Sequence, residues 1–156
     1  MIRLDIPGRG ILEFDNIVLD LNGTLSVDGK IHAKARDKVN LLAKRAKIYV
    51  LTADTRGRAG QILGKLKAEI VLLAGEDTSR EKAEFIQAIG PGRTVGIGNG
   101  YNDHLMVRDS GLGLCIIGRE GASAETAKNS DVLLPDIVDA LDFLLKPLIN
   151  RATLRW

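Results

Sequence analysis

Asp20 closes the run Asn16-Ile17-Val18-Leu19-Asp20, and Leu21, the turn-forming pair Asn22-Gly23 and the hydroxyl of Thr24 follow at once. Buried strands read as such apolar runs, and turn residues beyond them place the terminal acid at a sheet's C-terminal edge. In open α/β sheets that edge is where ligands bind. A carboxylate there, beside backbone amides and a hydroxyl, can attack phosphorus or hold a cation. Taken alone, the segment reads equally well as an Asp that caps a loop.

Two further strand ends and one helix carry similar chemistry. Ile48-Tyr49-Val50-Leu51 runs into Thr52-Ala53-Asp54, where a hydroxyl and free amides can hold a phosphoryl oxygen. Thr52 can instead cap the helix that follows. Thr94 to Gly98 runs into Asn99-Gly100-Tyr101-Asn102-Asp103. Its glycines let the backbone approach a ligand, and its amides and carboxylate are hard oxygen donors suited to magnesium. Lys82, near the start of the intervening helix, can neutralise phosphoryl charge, although a lone lysine is by default a surface residue. Arg56 and Arg58 stand where they could meet a substrate's anionic groups or simply begin an exposed helix.

The elements that must position these residues alternate. Ile2 to Ile6 and Gly10 to Phe14 read as two strands around Pro7-Gly8. Further strands are expected at 17–20, 48–51, 70–73, 94–98, 112–117 and 132–134. Helices are expected at 30–47, 55–67, 78–89, 102–109, 123–128 and 137–145, with Thr78 or Ser79 capping the third. Such alternation implies an α/β fold, a doubly wound parallel sheet covered on both faces. The reading is one domain over 1–156, with an N-terminal hairpin at 1–15. The tail at 147–156 shows no clear pattern, and Leu148, Ile149, Leu154 and Trp156 are expected to pack on the body or on another subunit.

Bulk composition narrows the function classes. At 156 residues, 45% hydrophobic and 27% charged, the chain has the composition of a soluble globular domain. Net charge is only +2 and aromatics are 4%, which argues against nucleic-acid partners. No signal segment or run of 18 apolar residues is present, so no membrane is implied and a cytoplasmic location is expected. Cys115 lies in an apolar run and reads as a small buried thiol. Gly96-x-Gly98 fails as a dinucleotide motif because Tyr101 stands where a third glycine is needed.

Together the four segments resemble the haloacid-dehalogenase-like (HAD) phosphohydrolase superfamily over nearly the whole chain. That family's first motif, Asp-x-Asp-Gly-Thr, is matched by Asp20-Leu21-Asn22-Gly23-Thr24. Thr52 matches the second motif and Lys82 the third. The fourth, Gly-Asp-Gly-x-Asn-Asp, is matched by Gly98-Asn99-Gly100-Tyr101-Asn102-Asp103. The resemblance implies a Rossmann-like HAD core and a phosphatase that forms an aspartyl-phosphate on Asp20. It implies Mg2+ held by Asp20, the carbonyl of Asn22, Asn99 and Asp103. Gly23, Thr24, Thr52, Ala53 and Lys82 would bind the phosphoryl group of a small phosphorylated substrate.

Two positions depart from the family pattern. Asn22 stands where most members carry an Asp that protonates the leaving group, and an amide cannot exchange a proton in that way. This implies better turnover of substrates with good leaving groups. P-type ATPases also lack that acid, and the chain resembles their phosphorylation domain without membrane and nucleotide-binding parts. Asn99 replaces a usual charged magnesium ligand, which should weaken metal binding. The alternative reading is a catalytically weakened phosphate- or metal-binding regulatory module of the same fold. Asp20 to Thr52 spans 32 positions and Thr52 to Lys82 spans 30, leaving no room for a cap domain. A short flap at 26–31 remains, with Asp28-Gly29 as a hairpin turn. The apolar tail fits a homo-oligomer.

Overall fold

In a computed structural model, residues 1–54 and 58–156 are described, together with the backbone but not the side chain of Arg58. Strands β1 (Ile2–Ile6) and β2 (Gly10–Phe14) pair antiparallel as a separate hairpin. Six strands then form one parallel sheet: β3 (Asn16–Asp20), β4 (Lys47–Thr52), β5 (Glu69–Leu72), β6 (Thr94–Gly98), β7 (Leu112–Ile116) and β8 (Val132–Leu134). Their order is β5-β4-β3-β6-β7-β8. The chain builds outward from β3 to β5, then returns to lay β6 on the other side of β3. That reversal puts the topological switch, and hence the ligand crevice, between the ends of β3 and β6.

Alternate residues of the strands face two aliphatic layers, as the two-residue period of a strand requires. Ile17, Leu19, Val95 and Ile97 join Ala35, Val39 and Leu42 of α1 (Ala33–Leu42) and Ala140, Leu141 and Phe143 of α6 (Ile137–Leu145). On the opposite face Val18 and Leu51 pack with Ile86 of α3 (Thr78–Ile89) and with Met106 and Val107 of α4 (His104–Asp109). The short helices α2 (Arg58–Ile62) and α5 (Ala124–Asn129) complete the crossovers. Gly113 is required here, because a β-carbon on it would collide with the Val107 carbonyl where α4 crosses β7.

Several elements differ from the expectation. Helix α1 covers 33–42 rather than 30–47. The flap turn occupies residues up to Lys30, where Asp28 and Gly29 both take left-handed φ (53° and 73°), and a turn after Leu42 leads into β4. Asp77, not Thr78 or Ser79, caps α3, its Oδ1 accepting from the Arg80 amide at 3.1 Å. The start expected at Thr55 for the second helix lies outside the described residues. The expected helix at 102–109 opens as a 3₁₀ turn over Tyr101–Asp103 before α4. The tail forms a helix, α7 (Pro147–Leu154), with proline in its first turn, where a missing N–H costs nothing. Leu154 packs on the body, while Leu148 and Trp156 are 81% and 89% exposed. Among the described residues no helix is long and apolar enough to cross a membrane.

Candidate active site

The carboxylate of Asp20 emerges at the end of β3, and the chain then doubles back. Gly23, at φ +79°, lets its amide donate to the Ser26 carbonyl at 2.8 Å, while the Ser26 amide returns to Leu21 at 2.8 Å. Helix α3 crosses the opposite side of the switch and directs Lys82 inward. Its ammonium donates to Asp20 Oδ1 at 2.8 Å and to Asp103 Oδ1 at 2.6 Å. Lys82 is 1% exposed and Asp103 fully buried, so the bridge is buried except where Asp20, 8% exposed, meets the cavity. The second oxygen of Asp103 accepts from the amides of Asn99 and Gly100 at 3.0 and 3.1 Å. Gly98 permits this return of the chain, since a β-carbon there would collide with the Asp103 carboxyl.

Burial, and next the charge of Asp103, push the Asp20 carboxyl up from 3.8 to about 6, against the lowering pull of Lys82. For Lys82, burial works to lower the pKa, but the charges of Asp103 and Asp20 outweigh it and the ammonium is held above its ordinary value. The triad is therefore two carboxylates around one persistent cation, a net charge of −1.

A cavity of about 530 Å³ opens over this triad. Asp20, Asn22, Thr52, Ala53, Asp54, Lys82, Asn99, Gly100 and Asn102 face it, so three strand ends and one helix meet there. Thr52 is buried at the end of β4, its Oγ1 accepting from the Asp54 amide at 3.1 Å, which leaves its proton free to donate. Asn99 Oδ1 accepts from Thr24 Oγ1 at 3.1 Å. Gly23, Thr24 and Asp103 are placed differently: all three are buried beneath the cavity wall, and the Gly23 amide is already used within the turn. Arg56 and the side chain of Arg58 lie outside the described residues. His32 caps α1, its Nδ1 accepting from the Lys34 amide at 3.1 Å.

Thr78, Leu73 and Glu120 also line the cavity. Glu120 was readable in principle. The loop Gly118-Arg119-Glu120-Gly121 follows β7 at the same sheet edge, and the reasoning applied to the first, second and fourth central strands applies there too.

No protein-family profile matches the chain. Over 63 residues it is 46% identical to the uncharacterized protein MJ0073 of Methanocaldococcus jannaschii, spanning 40% of this chain and 68% of that protein. The chain belongs to that protein's family. Its fold is shared with 3-deoxy-D-manno-octulosonate 8-phosphate phosphatase from Moraxella catarrhalis, whose structure holds magnesium and phosphate ions. The TM-score is 0.72 at 14% identity, covering 89% of this chain and 90% of that one. A protein of Streptomyces avermitilis assigned to the HAD hydrolases gives 0.69 at 17% identity, covering 88% of each. The fold of this MJ0073-family chain is thus the HAD-like one. Between Asp20 and Thr52 lie α1 and a flap, a two-residue turn closed by hydrogen bonds of 3.0 and 3.1 Å between Val27 and Lys30.

Proposed function

We propose that the chain is a magnesium-dependent phosphohydrolase that works through an aspartyl-phosphate on Asp20. The observation that carries this reading is the buried Lys82 bridge. It holds Oδ1 of Asp20 while the carboxylate lines the cavity, with Thr52 and at the sheet's switch point. In-line attack forms a bond between a carboxylate oxygen of Asp20 and phosphorus as the ester or anhydride P–O bond breaks, its electron pair leaving with the departing oxygen. Water then cleaves the acyl phosphate and returns the carboxylate and inorganic phosphate.

Positioning and charge stabilisation supply most of the acceleration in phosphoryl transfer. Lys82, the Thr52 hydroxyl and the Ala53 amide serve the phosphoryl oxygens. Asp103, with both oxygens engaged, serves to hold Lys82. The donor set fits a hard divalent cation. The Asp20 carboxylate, Asn22 and Asn99 face one cavity, and the triad there is negative. Such a cation would neutralise charge on the phosphoryl group.

Asn22 faces the cavity without an exchangeable acidic proton, so the substrates served best are those whose leaving group departs unprotonated, such as aryl phosphates, acyl phosphates or nucleotides. The same residue is the observation that favours a second reading, a phosphate-binding module with little turnover. Release of phosphate from p-nitrophenyl phosphate with magnesium, abolished by Asp20→Asn and by chelation, supports the enzyme. Tight phosphate binding without release supports the module.

A further inference from the structure

Glu120 sits on the loop after β7 and lines the same cavity as Asp20, Asn22 and Asn99. Among the described residues its carboxylate has no hydrogen-bond or ion-pair partner. It comes close to Gly23: a β-carbon on that glycine would collide with Glu120 Oε2 and stand 2.8 Å from Asn99 Nδ2. The Asn22 carbonyl begins the Gly23 peptide, so that carbonyl, the Asn99 side chain and the Glu120 carboxylate converge around one glycine.

The loop is fastened to the fourth strand end by Asn99 itself. Asn99 Nδ2 donates to the Gly121 carbonyl at 3.4 Å, and the Asn99 carbonyl accepts from the Ser123 amide at 2.8 Å. Thr126 Oγ1 donates to the Gly100 carbonyl at 2.6 Å just beyond. An aspartate at 99 could not donate to Gly121. Electrostatics add a second argument, because an unpaired carboxylate facing a phosphate cavity repels the substrate unless a cation stands between them. Asp20, Asp103, Lys82 and Glu120 sum to −2, and Asp54 lines the same cavity, so the site is negative enough to draw a divalent ion.

We infer that Glu120 supplies the divalent cation with the carboxylate ligand that Asn99 does not, Asn99 acting to hold the loop that presents it. This rests on the metal-dependent reading above. Among the described residues no three His, Cys, Asp or Glu side chains converge on one point. The proposed shell takes carboxylates from Asp20 and Glu120, which line one cavity, and its remaining protein oxygens from amides.

Binding of Mn2+ to the full chain, followed by the loss of the free-ion electron paramagnetic resonance signal, tests this without turnover. Glu120→Gln is expected to raise the Mn2+ Kd by about 10- to 100-fold, a scale on which even outer-shell partners act. Its melting temperature in chelator should match wild type, because Glu120 is exposed. The neighbouring charge change Arg119→Gln should leave the Kd unchanged, and adding Asn99→Asp to Glu120→Gln should recover part of the affinity. Wild-type Mn2+ affinity in Glu120→Gln overturns the inference and leaves the phosphatase reading intact. The same holds if that variant keeps its Mn2+ affinity but loses one limb of the pH–rate profile, which would make Glu120 a proton carrier. Failure of the wild-type chain to bind Mn2+ overturns both.

Discussion

Lys82→Met removes the ammonium that bridges two buried carboxylates. At 2.8 and 2.6 Å, each contact is worth about 6 kcal/mol before desolvation, taking an effective dielectric of 20. Desolvation of all three groups and repulsion between the carboxylates cancel much of this. Removing one partner of a buried pair nevertheless costs about 3–5 kcal/mol, because the remaining charge stays buried and uncompensated. For a domain of this size that corresponds to a fall in melting temperature of about 6–20 °C. The loss must also depend on pH. Asp20 already titrates above its unfolded value, near 6, and without Lys82 the burial and the Asp103 charge act unopposed. A carboxyl whose folded pKa is raised destabilises the fold increasingly as pH rises through that pKa. The deficit should therefore be small near pH 4 and largest above pH 7. Thermal melts of wild type and variant in chelator, from pH 4.5 to 8, measure it. A deficit below about 1 kcal/mol, or one that does not change with pH, refutes the account of Lys82 as a buried bridge.

Other expectations follow from single contacts. Asn22→Asp should raise kcat on alkyl phosphates by about 10²- to 10⁴-fold, the usual worth of general acid–base help, and change p-nitrophenyl phosphate turnover far less. Steady-state rates on both substrates decide it. Asn99→Asp should lower the magnesium concentration needed for half-maximal rate, while loss of the Nδ2 donor to Gly121 costs about 1 kcal/mol in denaturant melts. Thr126→Val removes the 2.6 Å bond to the Gly100 carbonyl and should destabilise the fold by about 1–3 kcal/mol, read by urea unfolding. Cys115 is buried, and burial followed by the Asp103 charge pushes its thiol up to about 11. A thiol reagent at pH 8 should leave it unmodified in the native chain and label it fully in denaturant.

The central strands were readable because parallel strands buried on both faces leave continuous apolar runs. Those at β3, β4, β6 and β7 fall within a residue of expectation. Helix ends were less readable, since apolar spacing does not distinguish a helix residue from one packed in the turn beside it. Ile31 and Ala46 continue the helical period of α1 but belong to its flanks. Likewise Asp77, Thr78 and Ser79 all cap helices well, and only the geometry chose Asp77. The tail lacked a periodic apolar stripe, and its helix is held by Leu154 and by Asn150, whose Nδ2 donates to the Phe143 carbonyl at 3.0 Å. In the site, each strand-end segment could be found locally. That Lys82 touches both Asp20 and Asp103, which lie 62 and 21 residues away, is a consequence of sheet order and could be expected only through family resemblance.

Sheet order also bears on the two asparagines that stand where related motifs place acids. Because β6 returns beside β3, the residues after both strands crowd one crevice with Lys82 as the cation facing both strand-end carboxylates. Aspartates at 22 and 99 would take Asp20, Asp103, Lys82 and these two positions from −1 to −3. Each added charge would raise the pKa of Asp20 beyond the value near 6 that burial and Asp103 already produce. The neutral amides at 22 and 99 add no charge that would raise the Asp20 pKa further. Glu120, exposed on a loop rather than buried beside Lys82, adds a carboxylate where water screens its effect on Asp20.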